Sequence, residues 1–241
     1  MATFQNNTTK DDYDKSTDET IPYQQQKMVR NGQQRFIIKN DCCLGNGNAQ
    51  ITTTTGPNTN EESSCFKMLQ TDGNYLLYNS KLMITDMSNR PVFSLNEYLY
   101  KCGVGVAMEV CHPNGLPLCR IVRQGFQASI RNRYKIEVLA VNSQQYPAGI
   151  TCIGQGMPYR FELTDGRSGQ ELATIKKNIT LLPSGVHGGS EWQLDLPAGL
   201  DAENVLLLLG ITCAINRLHT EVQKRQTTRN RTTAGASAGW S

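Results

Sequence analysis

The stretch that decides the fold is Leu194-Asp195-Leu196-Pro197-Ala198-Gly199-Leu200-Asp201, which runs through Ala202-Glu203-Asn204 into Val205-Leu206-Leu207-Leu208-Leu209-Gly210-Ile211. It alternates, bends at Pro197, and then turns apolar on every side. Asp201 stands where an N-cap belongs, Glu203 falls in the first turn, and no proline interrupts residues 205–218, so a helix is predicted there. The first two turns leave no polar face, and a helix apolar all round is buried on every side. The eleven apolar-rich residues 205–215 rise only about 17 Å as helix, too short for a hydrocarbon core of about 30 Å. In a chain whose other elements are strands, the middle of a barrel is the economical place for such a helix.

Upstream, the texture is uniform. Runs of four to seven apolar or alternating residues are predicted as strands at 66–69, 75–78, 81–85, 92–95, 106–111, 118–122, 134–138, 148–153, 159–163, 171–175, 179–182 and 191–194. Asp72-Gly73, Ser88-Asn89, Asn114-Gly115 and Asp165-Gly166 punctuate them as hairpin turns. Arg35-Phe36-Ile37-Ile38 reads as one short strand, and residues 45–64, rich in Asn, Thr and Gly, read as loop. Residues 1–28 hold too few apolar side chains to offset the entropy of ordering. The expected organisation is a mostly disordered polar region at 1–65, one all-β domain at 66–222, and a disordered basic tail at 223–241.

The chain of 241 residues carries 24 Lys+Arg against 21 Asp+Glu, a net charge of +3, which excludes a histone-like or strongly acidic protein. Neither a basic n-region nor an apolar h-region opens the sequence, and eight scattered cysteines form no CxxC pair. A reduced, cytosolic compartment is therefore expected, without a zinc ribbon or a disulfide framework. His112, His187 and His219 lie far apart and no GxSxG elbow accompanies them, so no catalytic residue and no enzyme activity is predicted. His112 before Pro113 reads as a turn residue and His219 as a solvated residue near a helix end.

The order and spacing of these elements resembles the phospholipid scramblase family. The pair Met108-Glu109-Val110-Cys111 and Leu118-Cys119-Arg120-Ile121 around Asn114-Gly115 is similar to one of its hairpins. Ile136-Glu137-Val138 with Pro147-Ala148-Gly149-Ile150, and Arg160-Phe161-Glu162-Leu163 with Asp165-Gly166, resemble the next two. Leu194 to Ile211 is similar to the closing strand, proline bend and terminal hydrophobic helix. The resemblance, over residues 66–222, implies a Tubby-like closed barrel of about twelve strands around a buried C-terminal helix. The same fold is implied for Tubby and LURP-one-related proteins. It further implies ATP-independent, bidirectional movement of phospholipid between leaflets at the cytosolic face of a membrane, the plasma membrane above all, with calcium as cofactor. Two departures stand out. The place of the family's polycysteine palmitoylation run, near Gly125–Lys135, holds no cysteine, and its acidic calcium loop retains only Glu191 and, further on, Asp195 as candidate metal ligands.

Three features of the sequence itself bear on membranes. Arg120, Arg123, Arg131, Arg133 and Lys135 fall within sixteen residues with no acid among them, and the last three share one face if extended. Each basic group near an anionic leaflet contributes about 1 kcal/mol, so these five form the candidate lipid-binding set. Cys42-Cys43 on a polar stretch is the candidate acylation pair, because stable anchoring takes two chains. Lys224, Arg225, Arg229 and Arg231 either add to membrane attraction or serve as a nuclear signal. The tail lacks the aromatic interleaving that favours nucleic acid, and no small-molecule substrate is inferred. The alternative function is a non-transporting Tubby-like or LURP-one-like adaptor that binds anionic lipid.

Overall fold

The computed structural model describes residues 34–40, 49–55, 62–72, 81–100, 105–124, 133–139, 146, 148–155, 160–181 and 187–237. Twelve strands and one helix account for most of them. The strands are β1 (Gln34–Asn40), β2 (Ala49–Thr55), β3 (Glu62–Asp72), β4 (Lys81–Asp86), β5 (Pro91–Tyr100) and β6 (Gly105–Cys111). They continue as β7 (Pro117–Gln124), β8 (Arg133–Val138), β9 (Ile150–Gln155), β10 (Arg160–Asp165), β11 (Glu171–Leu181) and β12 (His187–Leu196), and α1 (Ala202–Ser237) closes the chain. Each strand pairs with the next in sequence, and β1 pairs antiparallel with β12, so the sheet closes on itself. Closure leaves no strand edge exposed to pair with another chain.

The period of two sorts the side chains. Ile38, Ile51, Ile84, Leu95, Val110, Ile121, Ile136, Phe161, Ile175 and Leu194 point inward and are fully buried. Through their midst runs the first part of α1, where Val205 and Leu207 to Asn216 are buried on every side. The helix begins as its sequence predicts: Asp201 Oδ1 accepts from the Asn204 N–H at 2.7 Å, and the Asp201 carbonyl accepts from the Val205 N–H at 3.0 Å. Gly210 lets it lie close to the wall, since a Cβ there would stand 2.7 Å from Val110 Cγ1. Thr212 satisfies its buried hydroxyl by donating to the Leu208 carbonyl at 2.8 Å. Among the described residues no helix is long and apolar enough to cross a membrane.

Two expected boundaries change. The barrel starts at Gln34, not near residue 66, because β1 pairs with β12 and β2 pairs with β1 and β3. The stretch AQITTTT that reads as loop is a strand: threonine is β-branched and suits a pleated wall whose other face is apolar. Asn40 and Asn216 exchange side-chain hydrogen bonds of 3.1 and 3.0 Å, tying β1 to the helix. At the other terminus α1 continues through residue 237, past the expected limit at 222. The predicted strands at 171–175 and 179–182 are one, β11, and the one at 75–78 lies outside the described residues, as do residues 1–28.

Candidate functional site

The barrel has two unlike ends. Where β12 finishes and α1 enters, the turns are short and hydrogen-bonded. Asp86 Oδ1 accepts from the Ser88 and Arg90 N–H groups at 2.8 and 2.9 Å, and Arg90 Nε adds 2.9 Å to Oδ2. Burial alone would raise the Asp86 carboxyl, but these bonds outweigh it and hold it below the ordinary range. His112 is the turn residue its sequence predicts: its N–H donates to the Leu116 carbonyl and its own carbonyl accepts from Gly115, both at 2.8 Å.

The end where α1 leaves carries the candidate basic residues of β8. On the outer wall, β8 alternates exposed Arg133, Lys135 and Glu137 with buried Tyr134, Ile136 and Val138. Arg133 and Lys135 make no ion pair among the described residues. Arg120, on the outer face of β7, is committed to carboxylates: it donates to Glu109 Oε1 at 2.7 and 3.0 Å and lies 3.9 Å from Glu137. Arg123 departs from the expected basic face. It takes the inward parity of Cys119 and Ile121, stands opposite buried Tyr134, and its charge acts on both Tyr134 and His219. Arg131 lies outside the described residues. Of the four predicted basic residues that are described, Arg133 and Lys135 stand together, open, on the outer wall. Cys42 and Cys43 also lie outside the described residues.

Inside this end the sequence reading missed a polar and aromatic layer. Trp192, with no exposure, stacks on Phe161 at 5.6 Å, and Phe161 meets Tyr134 at 6.2 Å. His219 presses edge-on against Trp192 at 5.5 Å and Phe161 at 6.1 Å, and Lys177 Nζ sits 5.4 Å over the Trp192 ring. His219 is thus buried rather than solvated. Burial first, then the charges of Lys177 and Arg123, lower its pKa to about 4, so it is neutral at pH 7. Burial likewise lowers the Lys177 ammonium. The signal was present in the strand period: Arg123 lies two residues from Ile121, and Lys177 two from Ile175.

The two candidate calcium ligands do not share a site. Glu191 and Asp195 are four residues apart on β12, about 13 Å along an extended strand. Asp195 accepts from Arg35 Nε at 2.7 Å, Lys176 Nζ at 2.8 Å and Gln193 Nε2 at 2.9 Å. Those bonds outweigh the upward push of burial and keep its carboxyl below the ordinary range. Calcium wants six to eight oxygens, and a carboxylate already held by two cations does not fit it. Among the described residues no group of three or more His, Cys, Asp or Glu gathers as metal ligands.

No protein-family model matches the chain, and no curated protein matches it. Among solved structures it is similar to the X-ray structure of an Arabidopsis thaliana protein, AT5G01750. That match has 14% identity and a TM-score of 0.41, and covers 79% of this chain and 95% of that one. The likeness carries no argument about this chain. Among the described residues, the closed twelve-strand barrel with one C-terminal helix stands on the structure itself.

Proposed function

We propose that the protein works at an anionic membrane surface, with the helix-exit end toward the lipid, and moves phospholipid between leaflets without ATP or covalent chemistry. The observation that carries this reading is the pairing of outward Arg133 and Lys135 with the exit of α1, whose continuation bears Lys224, Arg225, Arg229 and Arg231. Each basic group near an anionic leaflet contributes about 1 kcal/mol. The resemblance to phospholipid scramblases supplies the transport step, and acylation of Cys42 and Cys43 would supply two-chain anchoring.

A second reading rests on the helix. Its apolar part is consumed as the barrel's core, and this favours an adaptor that binds lipid without moving it. Reconstitution into vesicles with a headgroup-labelled lipid separates the two. A transporter exposes both leaflets to dithionite quenching, in the presence or absence of calcium, whereas an adaptor leaves the inner half protected under both conditions.

A further inference from the structure

At the helix-entry end, on the rim formed by β1, β2, β11 and β12, lies a groove of about 460 Å³, within the size range of small-molecule sites. Three of its features are chemically specific. Asp195 grips Arg35 by Nε alone, and the half-exposed side chain has two further Nη groups. Nothing else among the described residues holds them, so Arg35 presents an oriented fork suited to a carboxylate. Gln34, nine-tenths buried, lines the groove and has its Oε1 buried with no hydrogen-bond partner. A buried acceptor in that condition calls for an N–H donor.

The third feature is Glu171, exposed at the start of β11, which accepts from the Thr174 hydroxyl. Arg35, Asp195 and Thr174 form one cross-strand row, so Arg35 and Thr174 stand two strand spacings apart, about 10 Å between Cα atoms. Arg35, Glu171 and Gln34 line this one groove, with Leu172, Leu196 and Pro197 as apolar wall. Asp195 itself is saturated by three donors and serves to aim Arg35.

We propose that this groove binds a free amino acid with an apolar side chain. The carboxylate goes to Arg35, the ammonium to Glu171 and Gln34 Oε1, and the side chain to the apolar wall. The site is independent of the membrane reading, since it lies at the opposite end of the barrel. The test titrates the full chain with each L-amino acid, followed by calorimetry and amide chemical shifts. The best binder is then repeated as its N-acetyl derivative and as its carboxamide. Saturable binding that falls at least tenfold for both derivatives, and at least tenfold in Arg35→Lys and in Glu171→Gln, is expected. Absence of saturable binding to any L-amino acid at about 10 mM overturns the proposal. Derivatives that bind like the parent amino acid overturn it too, as do variants that melt normally and bind undiminished.

Discussion

The two ends of the barrel solve the same problem, a helix crossing the rim, in opposite ways. At the entry end the helix start is held by hydrogen bonds: Asp201 caps Asn204, and Asn204 Oδ1 accepts from the buried Tyr146 hydroxyl at 3.3 Å. At the exit end the helix passes Lys177, Arg123 and His219, with Glu97 the buried carboxylate on the inward parity of β5. Buried cations cost free energy that hydrogen-bonded caps do not. The entry end is built for stability, while the exit end carries charge inside and out, which is where the proposed membrane contact falls.

The largest expected effect tests the element common to both ends. Leu208, 1% exposed and surrounded by strands, is replaced by Asp. An unpaired buried carboxylate costs several kcal/mol, comparable with the 5–15 kcal/mol of a whole domain. Leu208→Asp should therefore lose its cooperative melting transition by circular dichroism. A soluble variant that melts cooperatively would contradict the helix-in-barrel core.

Next in size is the removal of barrel closure. The boundary at residue 66 predicts that residues 62–224 melt like the parent. The barrel predicts the reverse, because that chain lacks β1 and β2, frees the edges of β3 and β12, and loses the Asn40–Asn216 bonds. Scanning calorimetry should show no parental transition, and a transition within a few degrees of the parent would restore the later start.

A smaller effect probes the charged interior. His219 has its folded-state pKa lowered from 6.5 to about 4, so the unfolded chain takes up the proton first as the solution is acidified. Stability linked to this residue is fully present above pH 6.5 and is lost as pH falls from there to about 4, on the order of 3 kcal/mol in all. Denaturant titrations of the parent and of His219→Leu across this window should show the steeper decline only in the parent. Parallel declines would place His219 in contact with solvent.

Much of this was legible in the sequence. The helix was visible because its cap, its length and its unbroken apolar run agree, and strands β4 to β10 because turn pairs bracket alternating residues. β2 was hidden because Thr52, Thr53, Thr54 and Thr55 satisfy the wall by shape rather than by hydrophobicity, and composition counted them as polar loop. The middle of β11 was hidden by Lys176-Lys177-Asn178, which broke the apolar run although Lys177 is buried with its Nζ over Trp192. The candidate lipid face was read by counting charges along the chain. Parity and pairing then sent Arg123 inward and committed Arg120 to Glu109, facts that depend on register and on a strand eleven residues away. The Asp195 cluster was equally unreadable, since Arg35 lies 160 residues from it.

The contrast between the ends is tested most directly by charge reversal at each. Arg133→Glu/Lys135→Glu alters the exit end on exposed positions of β8, and Arg167→Glu alters an exposed turn at the entry end. Cosedimentation with phosphatidylserine vesicles, at low and at high salt, is the measurement. The exit-end variant should melt like the parent and bind at least tenfold more weakly, since two attractions of about 1 kcal/mol each become repulsions, with the gap closing as salt rises. The entry-end variant should bind as the parent does. Equal binding by all three proteins, or a greater loss from Arg167→Glu, would contradict a membrane contact at the helix-exit end.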